Sequence, residues 1–369
     1  MTSLSTRINT ISEVLELLEN KNLPELGVLA NEKRREFHPD EKPVTFVVDR
    51  NVNYTNVCSC KCRFCAFNRD KTSEDAYTLE YEIIKAKIEE LAAVKGTQLL
   101  LQGGLNQDLP FEYYTNLLKN IRKDFPDLAI HAFSPSELVF IAKNNELSVK
   151  ELLEEFIRNG LSSIPGGGAE ILCDEVRIQL SPNKISSQKW LDVMEVAHGL
   201  GLKTTATMVF GFGEDNRHIA EHLFKIRNLQ DKTGGFTAFI PWTFVPTGDF
   251  TGLKKDLNNT AFDYLKILAV SRLALDNIEN IQASWVTQGL KVAQVALNFG
   301  ANDFGGSMLE ENVVKAAGVS NKTTIDEIIE NIQKAGFQAA QRDTYYKVLK
   351  LLQDGLKTHH YLYKNTSLL

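Results

Sequence analysis

Asn56-Val57-Cys58-Ser59-Cys60-Lys61-Cys62-Arg63-Phe64-Cys65-Ala66-Phe67 holds four of the chain's five cysteines. It follows a β-rich run at 45–48 that continues to 54, and that position decides the fold. A doubly wound sheet usually carries a glycine-rich phosphate loop at its first turn; here the turn carries thiols. Outward from it, further β-rich runs fall at 98–101, 129–133, 162–164, 204–209, 236–240 and 281–285, with a short one ending near Asn302-Asp303. Amphipathic runs separate them: Ile84, Ile88 and Leu91 recur at helical spacing between the first two, and Leu117, Leu118 and Ile121 after Pro110. Strand then helix, about eight times over about 270 residues, predicts an α/β fold of the (β/α)8 TIM type. The helical leader at 11–20 and 23–38 and the tail after Thr323 read as helical extensions. The expected division is 1–44, a barrel at 45–320, and 321–369.

A barrel places its chemistry at the C-terminal ends of its strands. Polar and glycine-rich clusters recur there: the cysteines, Gln102-Gly103-Gly104, Ser134-Pro135-Ser136-Glu137, Pro165-Gly166-Gly167-Gly168-Ala169-Glu170, Gly211-Phe212-Gly213-Glu214, Pro241-Trp242, Thr287-Gln288 and Asn302-Asp303. One ring of loops around one site accounts for all of them.

The 369 residues are 43% hydrophobic and 24% charged, enough for a large core. A net charge of −6 gives no electrostatic footprint for nucleic acid or anionic lipid. No apolar run has membrane-spanning length, and the first residues lack a signal peptide's apolar core. An odd, clustered cysteine set argues against a disulfide framework and for a reducing, cytoplasmic compartment. Cys173 reads as a small buried hydrophobe.

Cys58, Cys62 and Cys65 supply three thiolates where most iron–sulfur clusters take four. One iron of a cubane cluster then keeps an open position, which is a reactive one. A zinc knuckle is the structural alternative. It needs a fourth ligand close by, yet no histidine lies between His38 and His131, and the step from Cys60 to Cys62 suits neither metal. Cys60 reads as a solvent-side thiol. His218-Ile219-Ala220-Glu221-His222 matches the H-x-x-E-H pattern of zinc proteases. Without their fold, it reads as a solvated helix face.

The spacing Cys58-x3-Cys62-x2-Cys65, with Phe64 before the last cysteine, resembles the signature of the radical S-adenosylmethionine enzymes. The resemblance implies a 4Fe-4S cluster and S-adenosylmethionine as cofactors. It puts Gln102, Gly103 and Gly104 where backbone meets the cofactor's amine, and Met208-Val209-Phe210-Gly211-Phe212-Gly213-Glu214 where a fifth-strand motif packs on adenine. Segments 165–172, 233–242 and 300–305 resemble a smaller group: the two radical enzymes of the futalosine route to menaquinone and the deazaflavin synthase. Segments 282–289 and 305–314 are most similar to the cyclases of that route.

The resemblance also implies the reaction and the roles of the residues. A deoxyadenosyl radical takes the ribose C4′ hydrogen of a small-molecule futalosine substrate, and the carbon radical closes onto the substrate's benzoate ring. Loss of a proton and an electron then restores aromaticity. A one-electron reductant such as flavodoxin or ferredoxin is the expected partner, with no nucleic acid and no membrane. Asp303 is the candidate substrate-contacting carboxylate or proton acceptor; a helix cap is the alternative. Trp242, Trp285 and Asn302 are candidate substrate contacts. Phe64, Ser134, Glu137, Glu170 and Arg177 join the glycines as candidate cofactor contacts. Aminofutalosine synthase, a deazaflavin synthase subunit and, in another class, an iron–sulfur electron carrier stay open at this point.

Overall fold

The computed structural model describes residues 7–20, 22–246, 250, 252–253, 260–319 and 321–352. Its strands are β1 (Val44–Val47), β2 (Asp49–Asn53), β3 (Gln98–Gln102), β4 (Ala129–Ala132), β5 (Ser163–Ile164), β6 (Lys203–Phe210), β7 (Phe236–Thr243), β8 (Asn280–Ile281), β9 (Asp303–Gly306), β10 (Ala339–Arg342) and β11 (Val348–Leu352). They form two sheets, in the orders β2-β3-β4-β5-β6-β7-β8 and β11-β10-β1-β9. Only β10 and β11 pair antiparallel.

The sheets are parts of one ring. Only Val48 separates β1 from β2, so 44–53 is a single strand shared by both. At the other seam Gln282 and Asp303 form a parallel bridge, and Ala283 N–H donates to the Asp303 carbonyl at 2.8 Å. Beyond β9, Ser307 N–H reaches Val47 O at 2.9 Å and Leu309 N–H reaches Asp49 O at 3.1 Å. Counting 44–53 once, with β3 to β9, the parallel barrel is complete.

Strand alternation separates the inside of the ring from the outside. Arg50 reaches Glu90 and the Lys87 carbonyl on the helix Tyr81–Ala93, and Tyr54 packs on Tyr113 and Tyr114 of the helix Phe111–Asp124. These residues therefore face the helical layer. Asp49, Asn51 and Asn53 face the interior, and the register carries that face to Gln98, Leu100 and Gln102, then to His131 and Ser163. On the far side Thr205, Thr207 and Val209 pair with Ala238, Ile240 and Trp242. Most of these far-side positions keep partial exposure while Thr204, Ala206 and Met208 between them are buried. The inner face is largely polar, unlike the packed aliphatic layers that commonly fill such barrels.

Two expectations need correcting. The eighth strand begins at Asp303 instead of ending there, and Trp285 opens a short helix, Trp285–Gln288, after a two-residue β8. The C-terminal segment is not all helical. One helix, Ile325–Lys334, is followed by the β10–β11 hairpin, whose β10 pairs along all of β1, the lower half of strand 44–53. Gln341 Nε2 donates to Lys95 O at 3.1 Å, so β10 fills the gap beside the start of β3. The expected tail beyond residue 352 lies outside the described residues. The leading helices, Ile11–Asn20 and Leu23–Phe37, form as read. Leu26 and Ala30 bury one face of the second. No helix among the described residues is long and apolar enough to cross a membrane.

Candidate active site

The cysteine loop leaves the top of β2 and is pinned from three sides. Cys58 N–H donates to Arg69 O at 3.0 Å, Ser59 N–H to Leu105 O at 3.0 Å, and Arg63 N–H to Leu180 O at 2.9 Å. Cys58, Cys62 and Cys65 are half-buried, and no disulfide engages them. Cys60 is not the solvent-side thiol expected: it is buried, its Sγ 3.6 Å from that of Cys62. The hydrogen bond shared with Cys60, aided by the nearby Lys184 ammonium, pulls the Cys62 thiol down to about 6. Burial pushes Cys65 up.

The glycine loop after β3 is shaped by this neighbour. A Cβ on Gly104 would lie 2.2 Å from the Val57 carbonyl oxygen and 2.9 Å from Cys58 Cβ; one on Gly103 would lie 2.5 Å from the Tyr54 ring. The glycines let the two loops touch, a reason distinct from the cofactor approach expected of them. Gln102 stands on the inner face, half-buried.

Glu137 ties these pieces together. Its Oε1 accepts from Gly103 N at 2.9 Å and from the Tyr54 hydroxyl at 2.8 Å, and its Oε2 from Ser134 N and Oγ, both at 2.7 Å. Ser134 and Glu137 form the capping box of the helix Pro135–Asn144. Burial pushes the carboxyl up, against those hydrogen bonds. The Ser134–Glu137 pair, expected as cofactor contacts, thus has both carboxylate oxygens engaged in fixing the glycine loop.

Glu170 sits at φ 39° with its carboxylate 2.9 Å from Lys184 Nζ. Burial works against the Lys184 charge, yet Cys62 and Glu170 hold its pKa above the ordinary range. The ammonium also lies 5.5 Å from the Phe64 ring centroid, and Phe64 packs on Phe212 at 5.2 Å. Arg177 is buried and donates to the carbonyls of Gly168, Ala169 and Ile185. It shapes the glycine loop after β5 instead of presenting a free fork to a carboxylate. Glu214 accepts from Gly211 N and Phe212 N at 2.7 and 2.8 Å, folding the loop after β6.

The substrate candidates divide. Trp242 stands on the inner face, half-buried. Trp285 is buried, its Nε1–H 2.9 Å from Gly306 O. Asn302 points into the wall: its Oδ1 accepts from Arg272 and Ile281 N, and its Nδ2 donates to Asn280. Asp303 stands at the start of β9, the floor of the barrel, because strand 303–306 runs upward from it. Arg342 grips it at 2.5 and 3.0 Å, with Thr45 Oγ1 at 2.5 Å, Gln282 Nε2 at 3.2 Å and Gly305 N at 2.9 Å. A carboxylate so neutralised is a structural anchor, neither the expected base nor a helix cap. Sequence reasoning misses Lys184, whose isolated position gives no signal, and also Asp49, Asn51 and Asn53. The alternating polar pattern of those three in a barrel strand, where aliphatic runs are usual, is a signal.

His218-x-x-Glu221-His222 is only half a solvated face. His222 is buried, its Nδ1 accepting from Leu172 N at 3.0 Å. His218 lies near Cys173 and Glu175, but its Nδ1 accepts from Asp215 N, so in the neutral ring the proton sits on Nε2, facing Glu175.

Residues 52–226 match the Radical SAM superfamily, and residues 233–355 match the CofH/MqnC C-terminal region. Cyclic dehypoxanthine futalosine synthase of Halalkalibacterium halodurans is 46% identical over 94% of this chain and 92% of its own. That of Streptomyces coelicolor is 41% identical over 94% of this chain and 86% of its own. The 5-amino-6-(D-ribitylamino)uracil–L-tyrosine 4-hydroxyphenyl transferase of Methanocaldococcus jannaschii is also 41% identical, over 92% and 96%. Among solved structures, methylornithine synthase shares the fold at a TM-score of 0.71 and 19% identity, over 91% of this chain and 95% of its own.

Proposed function

The chain belongs to the radical S-adenosylmethionine superfamily, in the group with the cyclic dehypoxanthine futalosine synthases, and on that premise we propose how its residues divide the work of cyclisation. The enzyme is a radical cyclase of menaquinone biosynthesis that converts dehypoxanthine futalosine to its cyclic form. Bound 4Fe-4S cluster and S-adenosylmethionine supply the 5′-deoxyadenosyl radical that opens the reaction.

The observation carrying this reading is the placement of three half-buried thiols at the mouth of a barrel whose interior is polar. Cys58, Cys62 and Cys65 would hold the cluster, three thiolates where most clusters take four. Gly103 and Gly104, braced by Glu137, keep the second loop against the first, with Gln102 beneath. Lys184, balanced by Glu170 and stacked near Phe64, places a cation beside the cysteine loop, where it offsets negative charge on the cluster. Inside the ring, Asn53, Thr205, Thr207 and Trp242 line the substrate's space. Polar groups there hold the ribose hydroxyls, and the indole gives the benzoate ring a flat wall. Closing reactants within near-contact distance supplies much of the rate. A one-electron carrier such as flavodoxin or ferredoxin is the reductant.

The test is anaerobic reconstitution, reduction, and incubation with dehypoxanthine futalosine. Free 5′-deoxyadenosine and a product lighter by two hydrogen atoms are expected. Adenosyl carbon incorporated into product, with an enol ether as substrate, identifies aminofutalosine synthase instead. Turnover that requires tyrosine identifies the transferase.

A further inference from the structure

Re-aromatisation requires a base, and the ring of carboxylates around the cavity can be sorted by what already holds each one. Asp303 is neutralised by Arg342. Glu170 faces Lys184 and Arg177. Glu137 accepts four hydrogen bonds from Gly103, Tyr54 and Ser134. Glu214 is closed by backbone N–H groups of its own turn. His131, the imidazole on the inner face, is driven down to about 3 by burial and by Arg342, and its Nδ1 lies 2.8 Å from Ser163 Oγ. Such a ring is a poor proton acceptor at neutral pH.

Asp49 is different. It is buried on the inner face of β2, and its Oδ1 accepts from one neighbouring backbone group, Met308 N–H, at 2.8 Å. Among the described residues no side-chain donor or cation bonds its carboxylate. Gly306 makes room for it: a Cβ there would lie 2.4 and 2.5 Å from the two carboxylate oxygens. One step up the same face, the buried Asn51 has its Oδ1 without a hydrogen-bond partner. A buried polar oxygen left unmade costs about 1–3 kcal/mol, which a ligand's donor would recover. The two side chains form an acceptor-rich patch above the Asp303–Arg342 floor and below the loops that carry the cluster and glycines.

We propose that Asp49 accepts the proton released when the cyclised ring regains its aromaticity. This rests on the cyclase reading above. In the step a ring C–H bond breaks and an O–H bond forms on the Asp49 carboxylate. The electron left on the ring passes to a one-electron acceptor of the iron–sulfur or flavoprotein class. Burial pushes Asp49 up to about 6, with Asp303 adding to the rise and Met308 N–H and Arg342 opposing it. The Tyr346 ring stacks on the far guanidinium, at 3.8 Å. Asp49 is then ionised at neutral pH and basic enough to take the proton.

The experiment compares wild type with Asp49→Asn, measuring 5′-deoxyadenosine and cyclised product in the same reaction. Wild type comes first: if it gives no cyclised product from dehypoxanthine futalosine, the cyclase reading fails. With wild type active, Asp49→Asn should still form 5′-deoxyadenosine while product formation falls about 100-fold, so the ratio of the two rises. In wild type the same ratio should rise as pH drops below about 6. A variant that keeps the wild-type ratio within about twofold overturns the proposal, since general-base removal has far larger effects. Should Asp49→Asn fail to fold or hold iron, Asp49→Ser is assayed with added formate. Restored coupling supports the role, and no restoration overturns it.

Discussion

The two ends of the barrel are both rich in charged and polar groups, and they are built on opposite rules. At the floor the central ion pair is saturated: Asp303 accepts from Arg342, Thr45, Gln282 and Gly305, and the Arg342 guanidinium is covered by Tyr346. At the mouth, three thiols stand half-buried with no disulfide between them, beside a lysine held charged. Saturated polar groups give rigidity and no reactivity; groups left short of partners are available to ligands. On the function proposed above, the difference separates polar clusters that hold the fold from those that carry chemistry.

The comparison breaks first, and most completely, at the mouth. Cys58→Ala, Cys62→Ala or Cys65→Ala should each abolish the cluster's visible absorbance and 5′-deoxyadenosine formation, while circular dichroism still shows a folded α/β protein. At the floor the expected effect is on stability. Arg342→Ala leaves a buried, unpaired Asp303 and should cost about 3–5 kcal/mol in urea unfolding. Joint replacement, Arg342→Met with Asp303→Leu, should recover most of that loss. If Arg342→Ala were neutral in stability and abolished turnover, the division between the two ends would be wrong.

Acid sharpens the contrast next. His38, His131 and His222 are buried and held down to about 4, 3 and 3, chiefly by desolvation. Their folded pKa values lie below the unfolded value of about 6.5, so their contribution is complete above that pH. It is lost as pH falls from about 6.5 toward about 4 for His38 and about 3 for His131 and His222. Urea midpoints at pH 7 and 5.5 should differ in that direction, by roughly 1 kcal/mol per histidine. Ser134→Ala removes a capping hydroxyl and should cost about 1 kcal/mol, with a modest loss of turnover through the Gly103 loop. Cys60→Ser should change least: iron content stays at the wild-type level, and the reduced cluster still responds to S-adenosylmethionine. Loss of a cluster ligand on this change would favour the four-thiolate electron carrier instead.

Much of this architecture is legible in the chain itself. Periodicity reveals the alternation of strand and helix, and the position of the cysteines selects the barrel. Ser134-Pro135-Ser136-Glu137 carries the S-x-x-E signature of a capping box in plain view, yet its place after a strand draws it among the cofactor contacts. Asp303 is misplaced for a related reason. A two-residue β8 and a four-residue β9 leave little periodicity, so a polar pair at the start of a strand reads as one at its end. Arg342 lies 39 residues beyond Asp303, and no local pattern links them. Strand neighbours in β10 and β1 are fixed by tertiary pairing, which single-sequence propensity does not carry.

Because strand 44–53 takes β10 as the lower neighbour on one side, its hydrogen-bonding edge there has no mate until residues 339–342 exist. A ribosome working from the N-terminus therefore exposes that edge until β10 has been made. The cysteine loop above it emerges early, whereas the bolt that seals the base follows long after it. Truncating the gene just before residue 339 should leave a nascent barrel with an unguarded rim, prone to pair with its sister chains.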